Sequence, residues 1–385
     1  MKNIRIMFVI TGLGVGGAEM MLYRLVKDLQ KKGHSIIVVS LLEGGEIAAK
    51  IEQAGVEVVS LKMRNKFAIG SIPKFLKIIK SFRPDIIHSF MFHANVLSRI
   101  VSRLTRGPVV ISSIRNTVFG GELRESIMRF TDPWSDATTI ICKLAAARMI
   151  QERIVPEKKL HVIYNGINPE PFICPNAQKR NQIRSSLGIS SAEQLILSVG
   201  RLEEQKGYPT AIKAAALLAE WGLNFRWIIA GEGILRESLE GLVLEHKLED
   251  RIKFIGVRND VNELQWAADI YVLSSYWEGL PGVVIEAMAA SVPIVCTKVG
   301  GAPELVEHEV NGLLCEERNE EDLAIKLKTM LEYPIERRKK MGAISYEKMQ
   351  REFNLISMVS KNEELYMNLL NRNSEDRFTV RERMG

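Results

Sequence analysis

The chain has 385 residues, 46% hydrophobic and 25% charged, with a net charge of +6, which is enough to fill more than one hydrophobic core. No apolar run approaches the roughly 18 residues that span a bilayer, and the opening MKNIRIMFVITGLG has no small-residue cleavage site, so a membrane-spanning or exported chain is not expected. Cys142, Cys174, Cys296 and Cys315 stand far apart without a Cys-x-x-Cys pair and read as buried, reduced thiols.

The charge is uneven. Cut after Pro175, the first part carries 25 Lys+Arg against 14 Asp+Glu, or +11, and the remainder 27 against 32, or −5. Between Glu57 and Asp85 there is no acid, whereas Lys62, Arg64, Lys66, Lys74, Lys77, Lys80 and Arg83 are all cationic. Such a surface suits anionic partners. Nucleic acid is not expected among them, because no recognised binding motif and no aromatic-interleaved basic stretch accompanies the charge.

In chain order, short Val/Ile-rich runs alternate with amphipathic stretches: IRIMFVI, a helix over Gly17 to Lys32, SIIVVSLL, PDIIHSF and PVVISSI. This predicts a parallel α/β sheet covered on both faces. In SIPKFLKIIKSFRP, Ile72, Phe75, Leu76, Ile79 and Phe82 recur at helical spacing with lysines on the other faces. That is a basic amphipathic helix, which either lies on an anionic membrane or simply covers the sheet. The pattern halts at NPEPFICP and restarts with LILSVG, FRWIIAG, RIKFIG, DIYVLSS and PIVCT. The expected domains are residues 1–170 and 171–345, followed by C-terminal helices over 346–372 and a polar tail over 373–385.

Gly12-Leu13-Gly14-Val15-Gly16-Gly17 satisfies a dinucleotide fingerprint, but SIIVVS ends in Ser40 rather than the acid that would hold a ribose. The glycines permit either close approach to a ligand at a helix start or a plain tight turn. Arg201 and Lys206, in SVGRLEEQKG, follow a strand and precede a helix, so two cations and a helix dipole can converge on a diphosphate. In WEGLPGVVIEAMA, Glu278 precedes the Pro/Gly loop and Glu286 is expected in the first turn of the next helix. A buried Glu286 needs donors, which ribose hydroxyls can supply. His88 reads equally as a satisfied core residue or a ligand; His93, just past the strand end, is the better candidate for a direct role. No Asp-x-Asp pair suggests a divalent metal, so no cofactor is expected.

These segments, with IIHSFMFHAN, VIYNGIN, IIAGEGILRESLE, FIGVRNDV and TKVGGAPELVEHEVNGLL in the same order, resemble the family 4 glycosyltransferases of bacterial cell-surface polysaccharide synthesis. The resemblance implies the GT-B fold: two Rossmann-like lobes facing across a cleft, with the C-terminal helices returning to the first lobe. It implies a retaining, metal-independent transferase that moves a hexose or N-acetylhexosamine from a nucleotide diphosphate sugar, UDP before GDP, to a lipid-linked or glycan acceptor at the inner face of the cell membrane. By the same resemblance, Arg201 and Lys206, with Gly16 and Gly17, bind the diphosphate, Glu286 the ribose and Glu278 the transferred sugar. Gly256, Val257 and Arg258 would meet the base, His93 would act catalytically near the acceptor, and Asn116 and Asn165 (of Asn165-Gly166) would line the cleft. Gly282 stands where the family more often has Asn. A nucleotide-sugar epimerase and a non-catalytic nucleotide-sugar-binding subunit are the rival readings.

Overall fold

The computed structural model describes residues 3–14, 16–63, 69–105, 107–115 and 120–382, with side chains through Arg372. It divides into two compact units, residues 1–166 with 355–385, and residues 167–354. The sequence-based boundaries at 170 and 345 both fall inside the second unit.

In the first unit, seven parallel strands, β1 (Arg5–Ile10), β2 (Ser35–Ser40), β3 (Glu57–Ser60), β4 (Ile86–Phe90), β5 (Val109–Ile114), β6 (Ala137–Ile140) and β7 (Leu160–Val162), are ordered β3-β2-β1-β4-β5-β6-β7. The crossovers carry α1 (Gly17–Lys31), α2 (Glu46–Gln53), α3 (Ile72–Phe82), α4 (Phe92–Thr105), α5 (Glu122–Thr131) and α6 (Lys143–Gln151). The strands read as continuous apolar runs because both faces are covered. Phe8, Ile10, Val38 and Ile111 pack with Leu22 and Leu25 of α1 on one side; Met7, Val9, Ile87 and Val110 pack with Phe75 and Ile79 of α3 and Val101 of α4 on the other.

The second unit comprises α7 (Ala177–Ser186), β8 (Gln194–Val199), α8 (Tyr208–Glu220), β9 (Phe225–Ala230), α9 (Arg236–Glu245), β10 (Ile252–Phe254), α10 (Val261–Ala267), β11 (Ile270–Leu273), α11 (Gly282–Ala289), β12 (Ile294–Thr297), α12 (Ala302–Leu305), β13 (Gly312–Cys315), α13 (Glu320–Glu332) and α14 (Ile335–Glu352). Its sheet order is β10-β9-β8-β11-β12-β13, all parallel. In both units the strand order reverses beside the first strand, at β1/β4 and at β8/β11. Ligands of doubly wound sheets sit at such a reversal, outside the strands' carboxyl ends.

The last helix, α15 (Leu355–Glu382), belongs to the first unit. Met358, Val359, Leu365, Tyr366 and Leu369 join the core under α1, and Glu363 accepts from Lys32 and, at 3.0 Å, from His34 Nε2. The backbone stays helical to Glu382, across the segment read from sequence as a tail, because NSEDRFTVRE holds neither Gly nor Pro to stop it. No helix of the described residues is long and apolar enough to cross a membrane. Cys142, Cys296 and Cys315 are buried thiols, but Cys174 is only half-buried, because the proline-rich segment around it is an exposed connection.

Candidate active site at the strand ends

Three glycines let the loops leaving the second sheet touch. Gly207 caps the turn after β8 at φ +62°, and a Cβ there would lie 2.0 Å from Ser274 O in the loop after β11. Gly300, after β12, has φ +53°, and its Cβ would lie 2.1 Å from Glu278 O. Gly231, after β9, would clash with Gly200 O at 1.9 Å. Any side chain at these positions would push strand-end loops apart.

The stitched loops bring Lys206 and Glu278 together. Lys206 Nζ lies 2.6 Å from Glu278 Oε1, and Ser275 Oγ donates to the same oxygen at 2.8 Å. Gln205 Nε2 reaches Glu278 Oε2 at 3.5 Å and donates to Trp277 O at 2.9 Å. Thr297 Oγ1 donates to Ser275 O at 2.7 Å, tying this cluster to β12. Both members of the ion pair are largely buried, with side-chain exposures of 16% and 8%. Hydrogen-bond donors such as these offset the cost of taking a carboxylate out of water.

Arg201 does not join the pair. It sits on the same loop, 62% exposed, and is held 2.8 Å from Glu203. Glu286 is half-buried on α11. The helix begins at Gly282 rather than one residue later, so Glu286 falls in the second turn, not the first. Burial pushes the Tyr271 phenol well up, and the nearby Tyr208, Glu286 and Glu278 add to it. Neither α8 nor α11 has an acid in its own first turn, so neither helix neutralises its positive end from within.

Gly256 has φ +72° and its carbonyl accepts from Gly231 N at 2.8 Å. Val257 is 70% exposed, and the Arg258 guanidinium is fixed by Asp260 at 2.8 Å. The backbone after β10 is thus held open beside the ends of β8 and β9.

In the first unit, Gly16 is the extended N-cap of α1, and Gly17 is its first residue. Glu19 folds back over this end: a Cβ at Gly16 would lie 2.3 Å from Glu19 Oε2. Val15 and Asn116 lie outside the described residues. His93 stands in the first turn of α4, half-buried, its ring edge-on to Phe92 at 5.2 Å, two residues after Met91 at φ +73°. Asn95 Nδ2 donates to Ser113 O at 3.0 Å.

His88 is a core residue. Its Nδ1 meets Tyr366 Oη at 2.7 Å and its Nε2 meets Thr139 Oγ1 at 3.4 Å, while burial and the nearby Arg115 hold its pKa down to about 3. Arg115 donates to Asn165 Oδ1 at 2.7 Å and stacks 5.4 Å from the Phe90 ring; burial lowers its pKa to about 10. With His88, Thr139, Tyr164, Met358 and Asn362 it lines a small cavity. Sequence reasoning passed over Arg115, Ser275, Gln205 and Gly300. Ser275 and Gln205 stand beside motif residues, but nothing in the chain's spacing shows which way their side chains turn. Among the described residues, no three His, Cys, Asp or Glu side chains gather as a metal-holding group.

Two family models match: Glycosyltransferase Family 4 over residues 15–171 and Glycosyl transferases group 1 over residues 179–348. An uncharacterized glycosyltransferase of Methanocaldococcus jannaschii is 29% identical over 330 residues, 80% of this chain and 84% of that protein. The UDP-Gal:alpha-D-GlcNAc-diphosphoundecaprenol alpha-1,3-galactosyltransferase of Escherichia coli is 27% identical, covering 78% of this chain and 79% of its own. Among solved structures, Anabaena HepE in complex with UDP superposes with a TM-score of 0.85 at 21% identity, covering 95% of this chain and all of that one, a likeness of fold. With matched models running from the glycine loop into α14, the chain belongs to glycosyltransferase family 4 and is a glycosyltransferase of GT-B fold.

Proposed function

We propose that the chain transfers a hexose or N-acetylhexosamine, with retention, from a UDP-sugar to a lipid-linked or glycan acceptor in cell-surface polysaccharide or glycolipid synthesis, at the cytoplasmic face of the cell membrane. The observation that carries this reading is the buried Lys206–Glu278 pair at the β8/β11 reversal, with Arg201 exposed on the same loop. A cation and an anion fixed side by side suit a ligand that is charged at one end and hydroxyl-rich at the other.

As the bond between the anomeric carbon and the diphosphate breaks, its electron pair goes to a phosphate oxygen, while the acceptor's hydroxyl oxygen bonds to the anomeric carbon on the face the diphosphate leaves and gives up its proton to that phosphate oxygen. Lys206, Arg201 and the N-terminal ends of α8 and α11, which carry no acid in their own first turns, meet that charge, so no metal is required. Glu278, steadied by Ser275, accepts hydrogen bonds from the sugar's hydroxyls, and Glu286 accepts from the ribose. The open backbone at Gly256, Val257 and Arg258 takes the base. In the first unit, Gly16 and Gly17 are assigned to the diphosphate, and His93, Asn116 and Asn165 to the acceptor.

The Escherichia coli relative's name supports a UDP-sugar donor and a polyprenyl diphosphate acceptor, and the HepE complex supports UDP. The test is to incubate the chain with UDP-sugars and a polyprenyl-diphosphate-linked sugar and analyse the product's anomeric configuration. A product with the donor's configuration is expected. Conversion of the donor sugar without acceptor, as by an epimerase, or an inverted product would overturn the reading.

A further inference from the structure

Arg318 takes no part in the donor contacts described above, yet its side chain ends beside them in the second unit. It lies on the short loop between β13 and α13, at φ +57°. The loop is pinned to the start of α13: Glu316 N donates to Asp322 Oδ2 and Asp322 N to Asn319 Oδ1, each at 2.9 Å. Glycine or asparagine holds a left-handed backbone with less strain, so the turn itself does not call for arginine. What uses the side chain is Tyr276, whose ring centroid lies 3.9 Å from the guanidinium carbon. At that distance the guanidinium rests on the ring.

Tyr276 is the joint between the two loops that carry the ion pair. It stands two residues before Glu278 and is fastened to the segment around Lys206 at three points. Its N–H donates to Gln205 O at 2.8 Å. Its hydroxyl meets Thr210 Oγ1, in the first turn of α8, at 2.9 Å. Its Cε1 would lie 2.8 Å from a Cβ on Gly207, so the ring packs against bare backbone there. Gln205 and Gly207 are the chain neighbours of Lys206. A turn of Tyr276 would therefore shift Glu278 against Lys206, and their 2.6 Å contact leaves little play.

The ion pair that Arg318 makes does not account for its place. Its Nη2 is 3.7 Å from Glu204 Oε1, and the two side chains are 56% and 72% exposed, so water screens the attraction. The stack on the half-buried Tyr276 is the contact that reaches the site. Through it, the loop after β13 bears on the loops after β8 and β11.

We propose that Arg318 is a positioning residue: stacked on Tyr276, it holds the Glu278 loop in place against Lys206 while the sugar is transferred. It acts through Tyr276 and touches no reacting atom. This role rests on the reading of Lys206 and Glu278 as the donor's diphosphate and sugar contacts. Displacing a reacting-site contact by about 1 Å costs up to about a hundredfold in rate, and loss of the stack loosens Glu278 without removing it, so roughly a tenfold loss is expected.

The full chain would be assayed with a UDP-sugar and a polyprenyl-diphosphate-linked sugar. Arg318→Ala should lower kcat about tenfold and leave the donor KM within about twofold, at an unchanged thermal midpoint because the side chain is exposed. Arg318→Lys keeps a cation over the ring and should recover much of the loss. Tyr276→Leu should lower kcat at least as far, and adding Arg318→Ala to it should cost nothing more. Hydrogen exchange gives a readout independent of turnover. In Arg318→Ala the Tyr276 amide should exchange faster, whereas an arginine that serves only its own loop would speed exchange at Glu316 and Asp322 instead. Wild-type kcat in Arg318→Ala, additive losses in the double variant, or unaltered exchange at Tyr276 would overturn the proposal. Glu278→Gln separates the two readings. Full turnover in that variant would overturn the donor-site reading and the role of Arg318 with it; lost turnover there beside wild-type kcat in Arg318→Ala would overturn the role of Arg318 alone.

Discussion

Lys206 Nζ and Glu278 Oε1 are 2.6 Å apart although 72 residues separate them in the chain, one on the loop after β8 and the other on the loop after β11. The cation proposed for the diphosphate is thus bonded to the carboxylate proposed for the sugar. Removing one member strands the other's charge in a mostly buried site, which costs up to about 3–5 kcal/mol. Lys206→Met and Glu278→Leu should each destabilise the second unit, and the double variant should lose less than the sum, as measured by urea unfolding.

Arg201 should behave differently. Its guanidinium is largely exposed, so Arg201→Ala should leave the thermal midpoint unchanged yet weaken UDP binding by about 1.5–3 kcal/mol, the usual contribution of one charge-assisted contact. Lys206→Ala should lose both stability and affinity. Calorimetric titration of the two variants separates the cases.

The two carboxylates should divide kinetically. Glu286→Ala is expected to raise the donor KM, because a ribose contact is present before and during reaction. Glu278→Gln should lower kcat more than it raises KM, because its contact strengthens as the sugar distorts. Steady-state kinetics on one donor and one acceptor would show the split.

Activity is expected to survive EDTA, since side chains and helix ends meet the leaving charge. Loss of activity restored by Mn²⁺ or Mg²⁺ would require a different account.

His88 makes the first unit sensitive to acid. Its ordinary pKa is 6.5, and burial first, with Arg115 second, lowers it to about 3 in the fold. Between those values the unfolded chain binds the extra proton, so stability falls as pH drops below 6.5, by up to about 1.4 kcal/mol per pH unit. Above 6.5 His88 contributes no slope. The His88→Gln variant should show a shallower loss of stability between pH 6 and pH 4 in urea unfolding.

The sequence by itself determined the layout: strand-helix alternation, a break near residue 170, and the loops holding Arg201, Lys206, Glu278 and Glu286. Those signals are local, set by residue periodicity and by Gly and Pro at strand ends. The helix α1 ends within one residue of its expected limit for the same reason. His88 stayed ambiguous because its partner Tyr366 is 278 residues away. Only the tertiary structure decided which member of each pattern does what. It set Lys206 against Glu278 and turned Arg201 outward, because close approaches at Gly207 and Gly300 fix the loops. It also spent the apolar stripe of α3 on the core and left Lys74, Lys77 and Lys80 exposed, while Arg64 and Lys66 of the same basic run lie outside the described residues. A periodic stripe records that a helix has an apolar face; what that face covers depends on neighbours far along the chain.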